Sequence, residues 1–143
     1  MLHFQFHVDG QPVPQGSKSV TRTGLMYEAN KAHGKWRELV TTIARNEFAG
    51  RTPLEGPVTL AVLFSLECPP SVKKSGRTQP FVKPDLDKLC RSIGDSCEKA
   101  GIFKDSQITQ IDAVKQYADQ PGIDVFIFAT PDSAADLWHL RNN

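Results

Sequence analysis

Leu2, Phe4, Phe6 and Val8 alternate with His3, Gln5 and His7. That period of two predicts a half-buried strand ending at the Asp9-Gly10 turn. After a connection rich in Gly, Pro, Ser and Thr the period changes. Trp36, Leu39, Val40, Ile43 and Phe48 form a helical stripe, which predicts a helix over 30–48 with Asn30 as N-cap and Gly50 beyond its end. Pro53 and Gly56-Pro57 punctuate the chain, and Val58 to Leu66 then reads as a strand. Val58, Leu60, Val62, Phe64 and Leu66 line one face. Ala61 and Leu63 on the other predict a central strand covered on both sides.

The stretch from Glu67 to Val82 loses all periodicity. Pro69-Pro70 breaks the strand and S-V-K-K-S-G-R-T-Q-P follows, so a flexible basic loop is expected over about 67–83. Helical spacing returns with Leu86, Leu89, Cys90, Ile93, Cys97 and Ala100, between Pro84 and Gly101. Gln107 to Tyr117 and Ile123 to Ala129 predict two further strands. Ile108 and Ile111 fall out of step in the first, which predicts a bulge, and the second is apolar on both faces, as an interior strand would be. Pro131-Asp132-Ser133 opens a short terminal helix or tail over 131–143, whose Leu137 and Trp138 would pack on the body or on a second subunit. The order β-α-β-α-β-β indicates one α+β domain over 1–143, with a mixed sheet and helices packed against it.

Composition narrows the class. The chain has 143 residues, 39% of them hydrophobic, and a formal net charge of +1, enough for one real core. A nucleic-acid enzyme with this balance must concentrate its positive charge in one place. Cys68, Cys90 and Cys97 show no metal or redox spacing and read as reduced thiols, with Cys90 and Cys97 in the core of their helix. The absence of a signal peptide or a membrane-length apolar run leads to the expectation of a cytoplasmic protein. No nucleotide-binding glycine loop is present, and no Ser-His-Asp or Cys-His arrangement suggests acyl transfer. His3 and His7 share the polar face of the first strand, where a solvent-facing pair is a simpler reading than a metal site.

The chemistry gathers between Lys83 and Ile108. Asp87, Arg91 and Asp95 stand one above another on the polar side of the predicted helix, a pattern that suits an ion-paired, solvated face as readily as a site. Asp85 just before the helix and Asp105 just after its closing turn alter that balance. Three carboxylates within about 4 Å repel by several kcal/mol per pair at an effective dielectric near 20, so such a cluster persists around a cation. Oxygen ligands suit Mg²⁺, or Mn²⁺. A calcium EF-hand is excluded, because Leu89 and Cys90 occupy its fifth and sixth positions. Lys18 and Arg22 in the early loop, and Lys73, Lys74, Arg77, Lys83 and Lys88 around the aspartates, are candidate phosphate contacts for a polyanionic substrate.

Pro84-Asp85-Leu86-Asp87-Lys88-Leu89, then Arg91, then Gly101-Ile102-Phe103-Lys104-Asp105-Ser106-Gln107-Ile108, resembles the signature of the RusA family of Holliday junction resolvases. The resemblance extends weakly to the first strand and its G-x-P-x-P segment. It implies a Mg²⁺-dependent endodeoxyribonuclease that acts on four-way DNA junctions, as in recombination and repair. It further implies a two-fold homodimer making paired symmetric cuts, encoded by a bacterial host or by a phage or prophage. The family's three essential aspartates map onto Asp85, Asp87 and Asp105, and its essential lysine onto Arg91. Arginine stays protonated at any working pH, so Arg91 is expected to act as an electrostatic clamp or ion-pair partner. Lys88 replaces the family's asparagine, and Lys104 replaces the first member of its Asp pair. Those two lysines keep open a relative that binds branched DNA without cutting it. Asp85-x-Asp87 alone also fits a metal-dependent enzyme on another phosphate substrate.

Overall fold

The computed structural model describes residues 2–16 and 25–129, with the side chains of 25–30 outside the description. Lys18, Arg22 and the expected terminal helix with Leu137 and Trp138 lie outside the described residues.

The described chain runs β1 (Leu2–Asp9), α1 (Leu25–Phe48), β2 (Val58–Leu66), α2 (Pro70–Ser75), α3 (Leu86–Lys99), a 3-10 turn (Asp105–Gln107), β3 (Ile108–Tyr117) and β4 (Gly122–Ala129). The strands form one four-stranded sheet in the order β1-β4-β2-β3. β4 lies antiparallel to both β1 and β2, whereas β3 runs parallel to β2. A parallel neighbour requires a crossover, and here α2 and α3 supply it. The fold is the α+β domain with a mixed sheet that the periodicities predict.

One face of the sheet carries Phe4, Phe6 and Val8 from β1, Ile123, Val125 and Ile127 from β4, and Leu60, Val62 and Phe64 from β2, all buried. These form one core with Trp36, Val40 and Phe48 of α1 and with Leu89, Ile93 and Cys97 of α3. Trp36 is thus a core residue. The other face is thinner: Ala61, Leu63, Phe126 and Phe128 are only half-buried, and the two phenylalanine rings stack with centroids 6.5 Å apart. β2 is therefore central in the sheet, but the expected cover on its second face is partial among the described residues. The interior position of β4 is as predicted.

Two local expectations change and a third holds. α1 begins at Leu25, so Asn30 lies inside the helix and is not its N-cap. The basic loop contains α2, opened by Pro70 in its first turn and closed by Gly76 at φ 75°. Proline suits a helix start because its missing N–H would have had no partner there, and the buried Val72 ties this single turn and a half to the body. The bulge in β3 is present: Val58 pairs with Ile108 but Thr59 with Gln110, leaving Thr109 as the extra residue.

α3 ends as its sequence dictates. The Gly101 N–H donates to Glu98 O (3.0 Å) and the Ile102 N–H to Cys97 O (3.1 Å), the paired bonds of a Schellman turn. Gly101 takes φ 81°, and both Cys97 and Ile102 are fully buried. The chain therefore reverses sharply and carries Asp105 back alongside the helix.

Candidate active site

Asp85 occupies the N-cap of α3 in extended conformation (φ −71°, ψ 136°), yet its side chain makes no capping hydrogen bond. Its backbone carbonyl accepts from the Leu89 N–H at 3.1 Å. The usual reward of an aspartate at this position is a bond to the next turn's N–H groups. The free carboxylate instead stands 3.6 Å from Lys88 Nζ. Asp87 lies in the first turn of α3, where the helix dipole favours negative charge. Arg91 is one turn further along the same face and exposed. Among the described residues it forms no ion pair within 4 Å with Asp87 or Asp95, so the ion-paired ladder the sequence allows is not formed.

Asp105 arrives from the opposite direction. Its backbone N–H donates to Glu98 Oε1 (3.2 Å). A Cβ built on Gly94 would stand 3.0 Å from Asp105 Oδ1 and 3.5 Å from Ile108 Cδ1. The carboxylate thus rests against a helix that lacks a side chain at that point. Gln107 braces the turn: its Nε2 donates to Leu54 O and Gly56 O (both 2.9 Å), and its Oε1 accepts from the Lys104 N–H (2.7 Å).

Between α3 and β3 these residues enclose a cleft of about 630 Å³, with Asp87, Arg91 and Asp105 in its lining beside an apolar wall that includes Leu86 and Ile111. The cleft unites three of the four predicted catalytic residues. Asp85 stands at the helix end outside that lining. Asp85, Asp87 and Asp105 offer only oxygen donors, the kind a hard divalent cation takes, but they are not gathered here around one point. Among the described residues, no three Asp, Glu, His or Cys side chains stand close enough together to hold a metal ion.

Of the basic candidates among the described residues, none but Arg91 lines the cleft, and Lys73 lies instead beside Glu67, Tyr117 and Asp119. Lys73 and Lys74 are exposed in the last turn of α2, and Lys83 is exposed just before Asp85. Arg77 lies over the ring of Phe81, with its guanidinium carbon 5.1 Å from the centroid. The Gln15 N–H donates to Lys88 O (3.1 Å), which brings the N-terminal connection against α3 three residues before Lys18.

Two supporting residues carry no functional expectation in the sequence. Gly94 is one, and a glycine inside a strong helical period is the signal that marks it. Lys115 is the other: its Nζ donates to Val82 O (2.7 Å) and Pro84 O (2.8 Å), fastening the segment that leads into Asp85. It follows Ile111 and Ala113 on the inward face of β3, and a lysine where that alternation calls for an apolar residue is the available clue. Burial raises the thiol of Cys90, in the cleft lining, to about 11 and that of Cys97 to about 12, so both stay protonated and inert.

Comparison with known proteins identifies the family. The chain is 26% identical over 133 residues to "Uncharacterized protein YqaN" of Bacillus subtilis (strain 168), an alignment covering 86% of this chain and 94% of that protein. The family described as "Endodeoxyribonuclease RusA" matches residues 9–128, from the end of β1 nearly to the end of β4 and across every residue of the cleft. The chain belongs to the RusA family of endodeoxyribonucleases.

Proposed function

We propose that this protein is a Mg²⁺-dependent, structure-selective endonuclease that resolves four-way DNA junctions by paired symmetric cuts, acting as a two-fold homodimer. The observation that carries the reading is the convergence of Asp87, Arg91 and Asp105 on one cleft, with Asp85 beside it and released from capping. In this reading Asp85, Asp87 and Asp105 would hold Mg²⁺ or Mn²⁺. When bound there, the ion would supply Lewis-acid activation of a water and neutralisation of charge at the scissile phosphate.

The chain's own residues do the rest. Arg91 is permanently cationic and pairs with the phosphate's non-bridging oxygens, countering the charge that builds up during in-line attack. It is available because no carboxylate among the described residues holds it. Lys73, Lys74 and Lys83 neutralise neighbouring phosphates and fix the strand's register without reading its bases. Lys88 releases Asp85 as DNA or cation binds, and then faces the backbone itself. Lys115 and Gln107 keep the two arms of the site in place from opposite sides.

The test is cleavage of an end-labelled synthetic four-way junction with Mg²⁺, comparing the native protein with Asp87→Asn. Symmetric nicks in opposing strands, absent from the variant and from matched duplex, are the expected result. The Lys88–Asp85 contact also favours a second reading, in which a resident cation replaces the metal and the protein binds junctions without cutting. Tight binding with no nicking in either Mg²⁺ or Mn²⁺ would select that alternative.

A further inference from the structure

Phe81 is 71% exposed, the highest value for a large apolar side chain among the described residues, and it stands four positions before Asp85. Its surroundings are fixed. Pro80 immediately before it is buried. Val82 and Pro84 after it are held through their carbonyls by Lys115 Nζ at 2.7 and 2.8 Å. The ring therefore projects into solvent from a segment anchored on both sides.

Arg77 is equally constrained. Its backbone N–H and its Nε both donate to Ser75 Oγ (3.3 and 3.2 Å), while the Ser75 hydroxyl donates to the carbonyl of buried Val72 (2.7 Å). That chain of contacts sets the guanidinium over the Phe81 ring, 5.1 Å from its centroid, within cation–π range. An exposed ring in water forgoes the gain of burial, and the neighbouring Lys73, Lys74 and Lys83 make an apolar protein partner a poor match. A nucleobase matches both features: its π-face stacks on the ring, and its phosphate meets the surrounding cations.

We propose that Phe81, braced by Arg77, is a stacking platform for a base left unpaired at the branch point of a four-way junction. This rests on the junction-cutting reading and adds to it the element that distinguishes a branched from a continuous duplex. In a matched duplex every base is stacked on its neighbours and none is free to occupy the ring. At a branch point the strands exchange, and a base released there gains a new stacking partner beside the carboxylates.

The experiment uses the whole protein and a four-way junction with 2-aminopurine at the branch point, in the presence of a chelator so that nothing is cut. Native protein is expected to change the fluorescence of the probe on binding. Phe81→Ala is expected to lose that change and to bind the junction about tenfold more weakly or worse, with affinity for matched duplex unaltered. Phe81→Trp is expected to restore both. Native behaviour in Phe81→Ala would overturn the proposal, as would a shift of that variant from dimer to monomer in sedimentation, which would assign the ring to a subunit contact. Failure of the native protein to bind four-way junctions over duplex would remove the underlying junction reading, and this inference with it.

Discussion

Gly94 has only hydrogen where any other residue would place a Cβ 3.0 Å from Asp105 Oδ1. The atom that must yield is the end of a side chain, so Gly94→Ala is expected to fold. Alanine's helix propensity, about 1 kcal/mol better than glycine's, offsets the contact. The displaced atom belongs to a proposed metal ligand, and small misplacements at a reacting centre are costly. Cleavage by Gly94→Ala is therefore expected to fall about tenfold while its melting temperature stays near the native value. Equal cleavage would show that Asp105 does not act from this position. Lys115→Met removes the donor shared by Val82 O and Pro84 O. A loss of about 1–2 kcal/mol in urea unfolding is expected, together with weaker cleavage. Asp87 and Asp105, which meet at the cleft, are legible in the sequence as members of one short motif. Their supports are not: Lys115 lies 33 residues from Val82, and Gln107 lies 53 from Leu54. No local pattern records a partner so distant along the chain.

At the level of elements, legibility follows length and period. α3 declares itself through several turns of apolar spacing and a closing glycine, and its Schellman turn forms where Gly101 predicts. Gly101→Ala forces a β-carbon into φ 81° and is expected to cost about 1–2 kcal/mol, seen as a lower midpoint in thermal or urea unfolding. α2 has six residues and one buried side chain, too little for periodicity to register. The β1–β4 pair contains a further testable device. His7 sends Nδ1 to Asp124 (2.8 Å) and Nε2 to Asp9 (2.7 Å), and the two carboxylates raise its pKa above 6.5. A raised histidine contributes stability that is fully present below 6.5 and is lost as pH climbs through the folded value. His33 behaves oppositely: burial first, then the charge of Arg37, lowers its pKa, so its contribution is present above 6.5 and is lost on acidification. The two slopes occupy adjoining windows, rising up to 6.5 through His33 and falling above it through His7, so together they place a stability maximum near 6.5. His7→Asn is expected to remove the fall above 6.5, leaving a variant whose stability rises with pH up to about 6.5 and then levels off, as read by urea unfolding at successive pH values. Because His7 is 52% exposed, the effect is modest and shrinks with added salt.

Across the whole molecule, the sheet order β1-β4-β2-β3 is the feature least available from sequence, since alternation fixes which face a residue takes and not which strand lies beside it. That order puts β3 at an edge, parallel to β2, so that α3 returns across the sheet and its N-terminal half faces β3 across the cleft. Among the described residues, the result is one such cleft in the chain. A four-way junction needs two cuts in strands related by a two-fold axis, and one such site supplies only one. The proposed resolvase therefore requires a pair of chains with the same symmetry as its substrate. Mixing native protein with Asp87→Asn distinguishes this from independent monomers. If subunits exchange freely at equal concentrations, about half of all dimers are mixed and carry one competent site. Such dimers are expected to nick one strand without its symmetric counterpart, so singly nicked junctions should accumulate relative to resolved products, while sedimentation reports twice the 15.8 kDa of one chain. A monomeric enzyme would show the variant acting only as a diluent, with the ratio of single to paired cuts matching that of native protein at the same active concentration.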